Sequence, residues 1–277
     1  MDTKQEVREF YDNVGWQQED DGLYQNARYE DLRPVSREYV HKAHLRVKQY
    51  LPASGKFLLD AGSGPVQWPE YLSYSENFDY HLCADLSITA LKEARTRLGE
   101  HGLYVAADIT RLPFKPSVID AVVSLHAIHH LPLNEHRNAY QELHRVAKLG
   151  GVLVIVNGWY RPLVARLARP FVQLRRILSG RPLLKAPGGK RDNENEENQS
   201  GTFVKKMTPR WFKREFQGIF NYKIYVWRSL SPHILVNFIH PKLGGKAILK
   251  LIYWLEEKFP SFLGRVGVYP LIIFKKD

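Results

Sequence analysis

The stretch Phe57-Leu58-Leu59-Asp60-Ala61-Gly62-Ser63-Gly64-Pro65 decides the fold. Three apolar residues run into an acid, and two glycines follow with one residue between them. An apolar run without alternation fits a parallel strand covered on both faces. The glycines let the chain turn sharply, and without a Cβ they let a ligand approach the backbone. Strand, Gly-rich turn and helix, in that order, build the nucleotide site at the carboxyl ends of the strands in doubly wound α/β sheets. The acid two residues before the first glycine changes the ligand. A carboxylate there repels a pyrophosphate and welcomes a ligand bearing an ammonium or sulfonium cation.

Working outward, Tyr80 to Asp85 reads as a second strand, ending in an acid at the distance that suits an acceptor for ribose hydroxyls. Ser87 fits the N-cap of a helix from Ile88 to Leu98. Leu103 to Ile109 reads as a third strand, again carrying an acid, Asp108, at its end. One such acid is weak evidence, but Asp60, Asp85 and Asp108 after three successive strands form a register. Val118 to Leu125 predicts a fourth strand, running into His126-Ala127-Ile128-His129-His130. A helix over Glu135 to Lys148, capped by Gly150-Gly151, should lead to a fifth strand at Val152 to Val156. Thr208-Pro209 opens a further helix, and Tyr222 to Leu230 and Val268 to Lys275 read as strands six and seven.

These motifs resemble those of class I S-adenosylmethionine-dependent methyltransferases, within their small-molecule, quinone-biosynthesis-like branch. The resemblance covers residues 56–158 well and the termini loosely. It implies an α/β, Rossmann-like fold: a seven-stranded, mostly parallel sheet with a helical lid over residues 1–52. The domain proper is then 53–277, with insertions at about 158–207 and 231–267. It implies S-adenosyl-L-methionine as methyl donor, leaving as S-adenosyl-L-homocysteine. The residues it assigns to that molecule are Asp60, Ala61, Gly62, Ser63 and Gly64, Asp85 with Leu86, Asp108 with Ile109, Leu125, and Tyr11 from an early Phe-Tyr-Asp segment. An aromatic packing against the domain explains Tyr11 equally well. His126, His129 and His130 follow strand four, where the family places its acceptor-facing loop, and are the candidates for a base; at most one or two of them should act. No nearby carboxylate completes a helical His motif, so no metal is expected. The family commonly has a third glycine in the first motif, where this chain has Val66 and Gln67 after Pro65.

Composition narrows the function. The single cysteine, Cys83, excludes an intramolecular disulfide and a multi-cysteine metal site, and lies mid-strand as a small core residue. It also argues against enzymes that attack a pyrimidine carbon through a thiol. The polar, acidic start predicts no signal peptide, and no 18-residue apolar run offers a transmembrane helix, so the expectation is a cytoplasmic protein, at most peripheral to a membrane.

Charge is split along the chain. Residues 1–157 hold 17 Lys and Arg against 21 Asp and Glu, whereas residues 158–277 hold 23 against 8. Such a basic half fits an anionic partner: a phospholipid surface, a phosphorylated substrate or RNA. Scattered solvated lysines are the plainer alternative. Pro162 to Ser179 predicts an amphipathic basic helix, with Leu163, Leu167, Phe171, Leu174 and Leu178 on one side and arginines elsewhere. Gly188 to Gly201, almost without apolar residues, predicts a mobile loop, and Ile248 to Phe259 another amphipathic helix. The leading expectation is methyl transfer to a small or lipid-like acceptor. An RNA acceptor is less favoured, since no Asn-Pro-Pro-aromatic segment follows strand four. A non-catalytic cofactor-binding protein is the third reading.

Overall fold

The computed structural model describes residues 2–20, 22–178, 180 and 202–277. The segment Gly188 to Gly201, expected to be a mobile loop, lies outside them. Seven strands form one sheet: β1 (Gly55–Ala61), β2 (Phe78–Asp85), β3 (Gly102–Ala106), β4 (Ile119–Leu125), β5 (Ala147–Val156), β6 (Tyr222–Arg228) and β7 (Tyr269–Lys275). Their order is β3-β2-β1-β4-β5-β7-β6, parallel except where β7 inserts antiparallel between β5 and β6. The seven-stranded, mostly parallel sheet expected from the sequence is therefore present. The strand order reverses between β1 and β4, which opens a crevice at their carboxyl ends.

Alternate residues of each strand fill two cores. Leu59, Leu82, Val122, Leu153 and Ile155 face one way, toward helix α5 (Leu133–Val146) and helix α7 (Pro209–Phe216). Leu58, Cys83, Val123 and Val154 face the other, with Leu91 and Ala94 of α4 (Ile88–Leu98) and Trp227 of β6. Burial on both faces is why β1 carries a continuous apolar run. Two caps form as expected. Ser87 Oγ accepts from the Ala90 N–H at 3.0 Å, and Thr208 Oγ1 accepts from the Trp211 N–H at 3.1 Å.

Three boundaries differ from expectation. Gly150-Gly151 does not cap α5, which ends at Val146; the pair sits within β5. Register jumps from Ile119 opposite Ala147 to Ala121 opposite Val152, so the glycines occupy an irregularity in the ladder, with Gly150 at φ 75°. Strand β3 stops at Ala106, leaving Asp108 in the following turn. The second insertion is three helices rather than one: α8 (Pro232–Phe238), α9 (Gly245–Lys258) and α10 (Pro260–Val266).

A third core lies apart from the sheet. Val35 and Tyr39, at α2 (Arg37–Leu45), pack with Ile234 and Leu235 of α8 and Leu249 of α9. Val164 and Ala168 of α6 (Leu163–Leu178) join them. Charges tie this assembly down. Glu256, fully buried, accepts from Arg46 at 3.1 Å, from Tyr39 at 2.7 Å and from the Ser229 backbone at 2.7 Å. Arg228, also buried, donates two hydrogen bonds to Glu30 and lies over the rings of Trp227 and Tyr269, 5.0 Å from each.

Candidate functional site

The carboxyl ends of β1, β2 and β4 open into a cavity of about 1980 Å³. Its geometry begins with the glycines. Gly62 has φ 74° and Gly64 φ 54°, both in the left-handed region. A Cβ on Gly62 would sit 2.2 Å from Ala127 Cβ, and one on Gly64 2.8 Å from Trp16 Cζ2. Both positions therefore exclude any side chain, on conformation and on space. The Gly64 N–H donates to Asp85 Oδ2 at 2.9 Å, and the Ser87 N–H donates to Oδ1 at 2.8 Å. One carboxylate thus fastens the glycine turn to the start of α4. Burial pushes Asp85 up to about 6, against the two backbone N–H groups, while Asp60 and Asp12 add repulsion.

The other two acids reach the same cavity. Asp60 is buried at its wall. Asp108 accepts from the Thr110 N–H at 2.8 Å and from Lys4 of α1 (Thr3–Phe10) at 2.6 Å. Burial would raise its carboxyl, but the Lys4 and Thr110 contacts prevail and hold it below the usual range. Leu86, Ile109 and Leu125 line the cavity, as do Ser63 and Tyr11. Ala61 does not: it is sealed behind the wall, its carbonyl accepting from Ser124 Oγ at 2.8 Å.

The three histidines occupy different environments. His130 Nδ1 lies 2.8 Å from the Phe203 carbonyl, which can only accept, so Nδ1 carries the proton. Nε2 is then the acceptor for the Tyr11 hydroxyl at 2.9 Å. His130 is committed to holding Tyr11, whose ring stacks on Trp16 at 4.8 Å. His129 is buried, and its Nδ1 has no partner among the described residues. His126 differs. It follows β4 with φ 59°, a strained conformation for a non-glycine residue, and its ring meets Trp227 and Tyr269 at 5.0 and 5.4 Å. Burial, helped by Arg228, His44 and Lys206, lowers its imidazole to about 3. Burial likewise lowers His130 to about 4. At neutral pH both rings are neutral.

A methyltransferase-domain family model matches residues 59–155, which contain the glycine turn, all three acids and the three histidines. Residues 59–155 are a class I S-adenosylmethionine-dependent methyltransferase domain. This chain is 31% identical over 130 residues to a Bos taurus protein named "Probable tRNA methyltransferase 9B", a match of 46% of this chain and 27% of the relative. It is 33% identical over 107 residues to the Arabidopsis thaliana tRNA (carboxymethyluridine(34)-5-O)-methyltransferase, covering 38% and 24% of the two chains. The matches thus span about a quarter of the length of these curated relatives. The fold is shared with geranyl diphosphate C-methyltransferase from Streptomyces coelicolor A3(2), with TM-score 0.56 and 15% identity over 100% of this chain and 99% of that one. That protein was crystallised with S-adenosyl-L-homocysteine.

S-adenosylmethionine suits the residues present in this domain. Acids at the strand ends favour a sulfonium and an ammonium, and the glycine turn offers backbone without side chains. Sequence reasoning found these groups and missed others. Trp16 against Gly64 and Lys4 on Asp108 come from the N-terminal segment, where no spacing marks them. Arg228, Trp227 and Tyr269 beside His126 come from strands more than a hundred positions away.

Proposed function

We propose that this methyltransferase moves a methyl group from S-adenosylmethionine to a small or lipid-like acceptor held under the helical roof. The carrying observation is His126: a neutral imidazole in strained backbone at the end of β4, with no hydrogen-bond partner for its ring among the described residues. The donor supplies an electrophilic methyl on a sulfonium. In this reading Asp60 receives the ammonium, Asp85 the ribose hydroxyls and Asp108 the adenine amine, with Ile109 against the ring. Tyr11, held by His130, and Trp16 close the site from residues 1–52, which act as a lid and exclude water. His126 would take the acceptor's proton as the acceptor's lone pair bonds the methyl carbon and the carbon–sulfur bond breaks, its electron pair returning to sulfur so that S-adenosylhomocysteine leaves as a neutral thioether. A hydroxyl gaining a methyl becomes strongly acidic, so even a weak base suffices.

The acceptor's route is read from α6. Its outer side exposes Leu167, Phe171, Leu174 and Leu178, and arginines flank that stripe. A helix of this kind lies in an anionic headgroup layer. Among the described residues no helix is long and apolar enough to cross a membrane, so contact with lipid would be peripheral. The second reading is an RNA acceptor, favoured by the curated relatives named as tRNA methyltransferases and by the basic half.

Methyl-labelled donor, incubated with the protein and either a lipid extract or total tRNA, separates the two. Label entering the solvent-extractable fraction is expected; label entering only tRNA overturns the small-acceptor reading. Sedimentation with anionic and neutral vesicles at low and high salt tests the surface. Binding should require anionic lipid and weaken with salt.

A further inference from the structure

The cavity carries charges of both signs. Of the four acids on its described wall, Asp60 and Asp85 lie at the ends of β1 and β2, and Asp108 lies in the turn after β3. The fourth, Glu30, is engaged by Arg228. Cations line the cavity as well: Lys4 sits on Asp108, and α6 contributes a cluster of arginines. This helix has three faces. Val164, Ala168 and Val172 are packed inward, and Leu167, Phe171 and Leu174 are exposed outward. Between those faces Arg166, Arg169 and Arg176 line the cavity. At 1.5 Å per residue they span about 15 Å of wall. Lys206 also lines the cavity, its stem lying over Gly158 just after β5. A Cβ on Gly158 would be 3.1 Å from Lys206 Cε, so the glycine leaves room for that stem. Arg169, Arg176 and Lys206 are half-buried rather than spread on the surface. Their field reaches the chemistry: Lys206 lowers His126, His129 and His130, and both Arg176 and Lys206 lower His233.

We propose that Arg169, Arg176 and Lys206, with Arg166 at the rim, bind a phosphate or diphosphate group carried by the acceptor. The proposal rests on the cavity being the methyl-transfer site and names the acceptor's polar end. Guanidinium forks recognise phosphoryl oxygens in pairs, and three or more cations match a multiply charged group better than a single carboxylate. The same helix explains how such a molecule enters. Its apolar face meets the acceptor's hydrocarbon part outside while its arginines receive the anionic end inside. A long polyanion is the poorer match, since the outward face of α6 carries leucine and phenylalanine.

Titration calorimetry of the full chain decides it, with inorganic pyrophosphate as probe and S-adenosylhomocysteine titrated separately. Saturable pyrophosphate binding is expected, weakened about tenfold or more in Arg169→Ala and in Lys206→Ala, with Arg169→Lys intermediate. Affinity for S-adenosylhomocysteine should stay within about twofold in all three, which shows that the variants are folded. No saturable pyrophosphate binding up to about 10 mM, a weaker limit than a specific site gives, would overturn the proposal. Equal pyrophosphate affinity in wild type and variants would do so too, as would tRNA binding in a protein that ignores pyrophosphate. If S-adenosylhomocysteine alone fails to bind, the donor assignment falls, and the anion site is judged by the pyrophosphate titration.

Discussion

Replacing Asp85 by asparagine tests the donor site at its most constrained point. The carboxylate accepts from Gly64 N–H and Ser87 N–H at 2.9 and 2.8 Å, using both oxygens. An asparagine keeps one acceptor and turns an NH2 toward the other N–H, so one charge-assisted bond is lost and two donors face each other. In the role proposed for Asp85 the charged acceptor for a ribose hydroxyl is lost as well, and a charge-assisted bond of that kind is worth about 1.5–3 kcal/mol, or roughly ten- to more than a hundredfold in affinity. Acidity gives a second handle. Burial holds the Asp85 carboxyl at about 6, so it is ionised at pH 7 and mostly protonated at pH 5. If only the carboxylate form binds the donor, wild-type affinity for S-adenosylhomocysteine falls about tenfold from pH 7 to pH 5. The asparagine variant should be weak throughout and flat over that range. His126, at about 3, does not titrate in the window and cannot imitate the effect. Calorimetric titrations at pH 5, 6, 7 and 8 read both quantities. Equal affinity in the two proteins, or the same pH slope in both, would refute the role given to Asp85.

Gly62→Ala combines a left-handed backbone with a Cβ 2.2 Å from Ala127, next to His126; about 1–2 kcal/mol of strain and at least a tenfold loss of S-adenosylhomocysteine affinity are expected by calorimetry. Glu30→Gln leaves the Arg228 guanidinium buried without its counter-charge, and urea unfolding should show a loss of about 3–5 kcal/mol; adding Arg228→Met should recover part of it. Acid should weaken the fold early. His126, His130 and His136 are held neutral at about 3, 4 and 4, so the unfolded chain binds more protons below pH 6.5, and each histidine costs up to about 1.4 kcal/mol per pH unit down to about pH 4. Asp85, held high, opposes them by one proton between about 6 and 4; urea midpoints at pH 7, 6 and 5 should still fall, and a flat profile would remove the neutral histidines.

The sheet and the acid register were legible because parallel strands end at one edge, so Asp60, Asp85 and Asp108 had to converge once the strands were found. Local chemistry was legible too, in the side-chain caps at Ser87 and Thr208. Gly150-Gly151 misled because a glycine after a helix looks the same whether it caps the helix or breaks a ladder; pairing with β4 decides, and pairing is non-local. The histidines could be placed but not ranked. His130 is distinguished from His126 by the Phe203 carbonyl and the Tyr11 hydroxyl, which lie 73 and 119 positions away in the chain. Lys4 and Lys206 carry no pattern at all, since a lysine's partner is set by the fold around it.

The contacts that hold the roof have a bearing on how the molecule is made. Glu30 meets Arg228 across 198 positions, Arg46 meets Glu256 across 210, and Tyr39 meets Glu256 across 217. A chain synthesised from its amino end therefore leaves Val35 and Tyr39 uncovered until Ile234, Leu235 and Leu249 have been made, whereas Ala43 and Val47 share a core with Tyr71 and Tyr74 and can be covered early. Closing such long loops is entropically slow and is rewarded only when the sheet already stands. Strands β1 to β5 can then pair before α8 and α9 exist, and the side of α2 that carries Tyr39 waits for them as a short exposed stripe until the chain has passed Leu249.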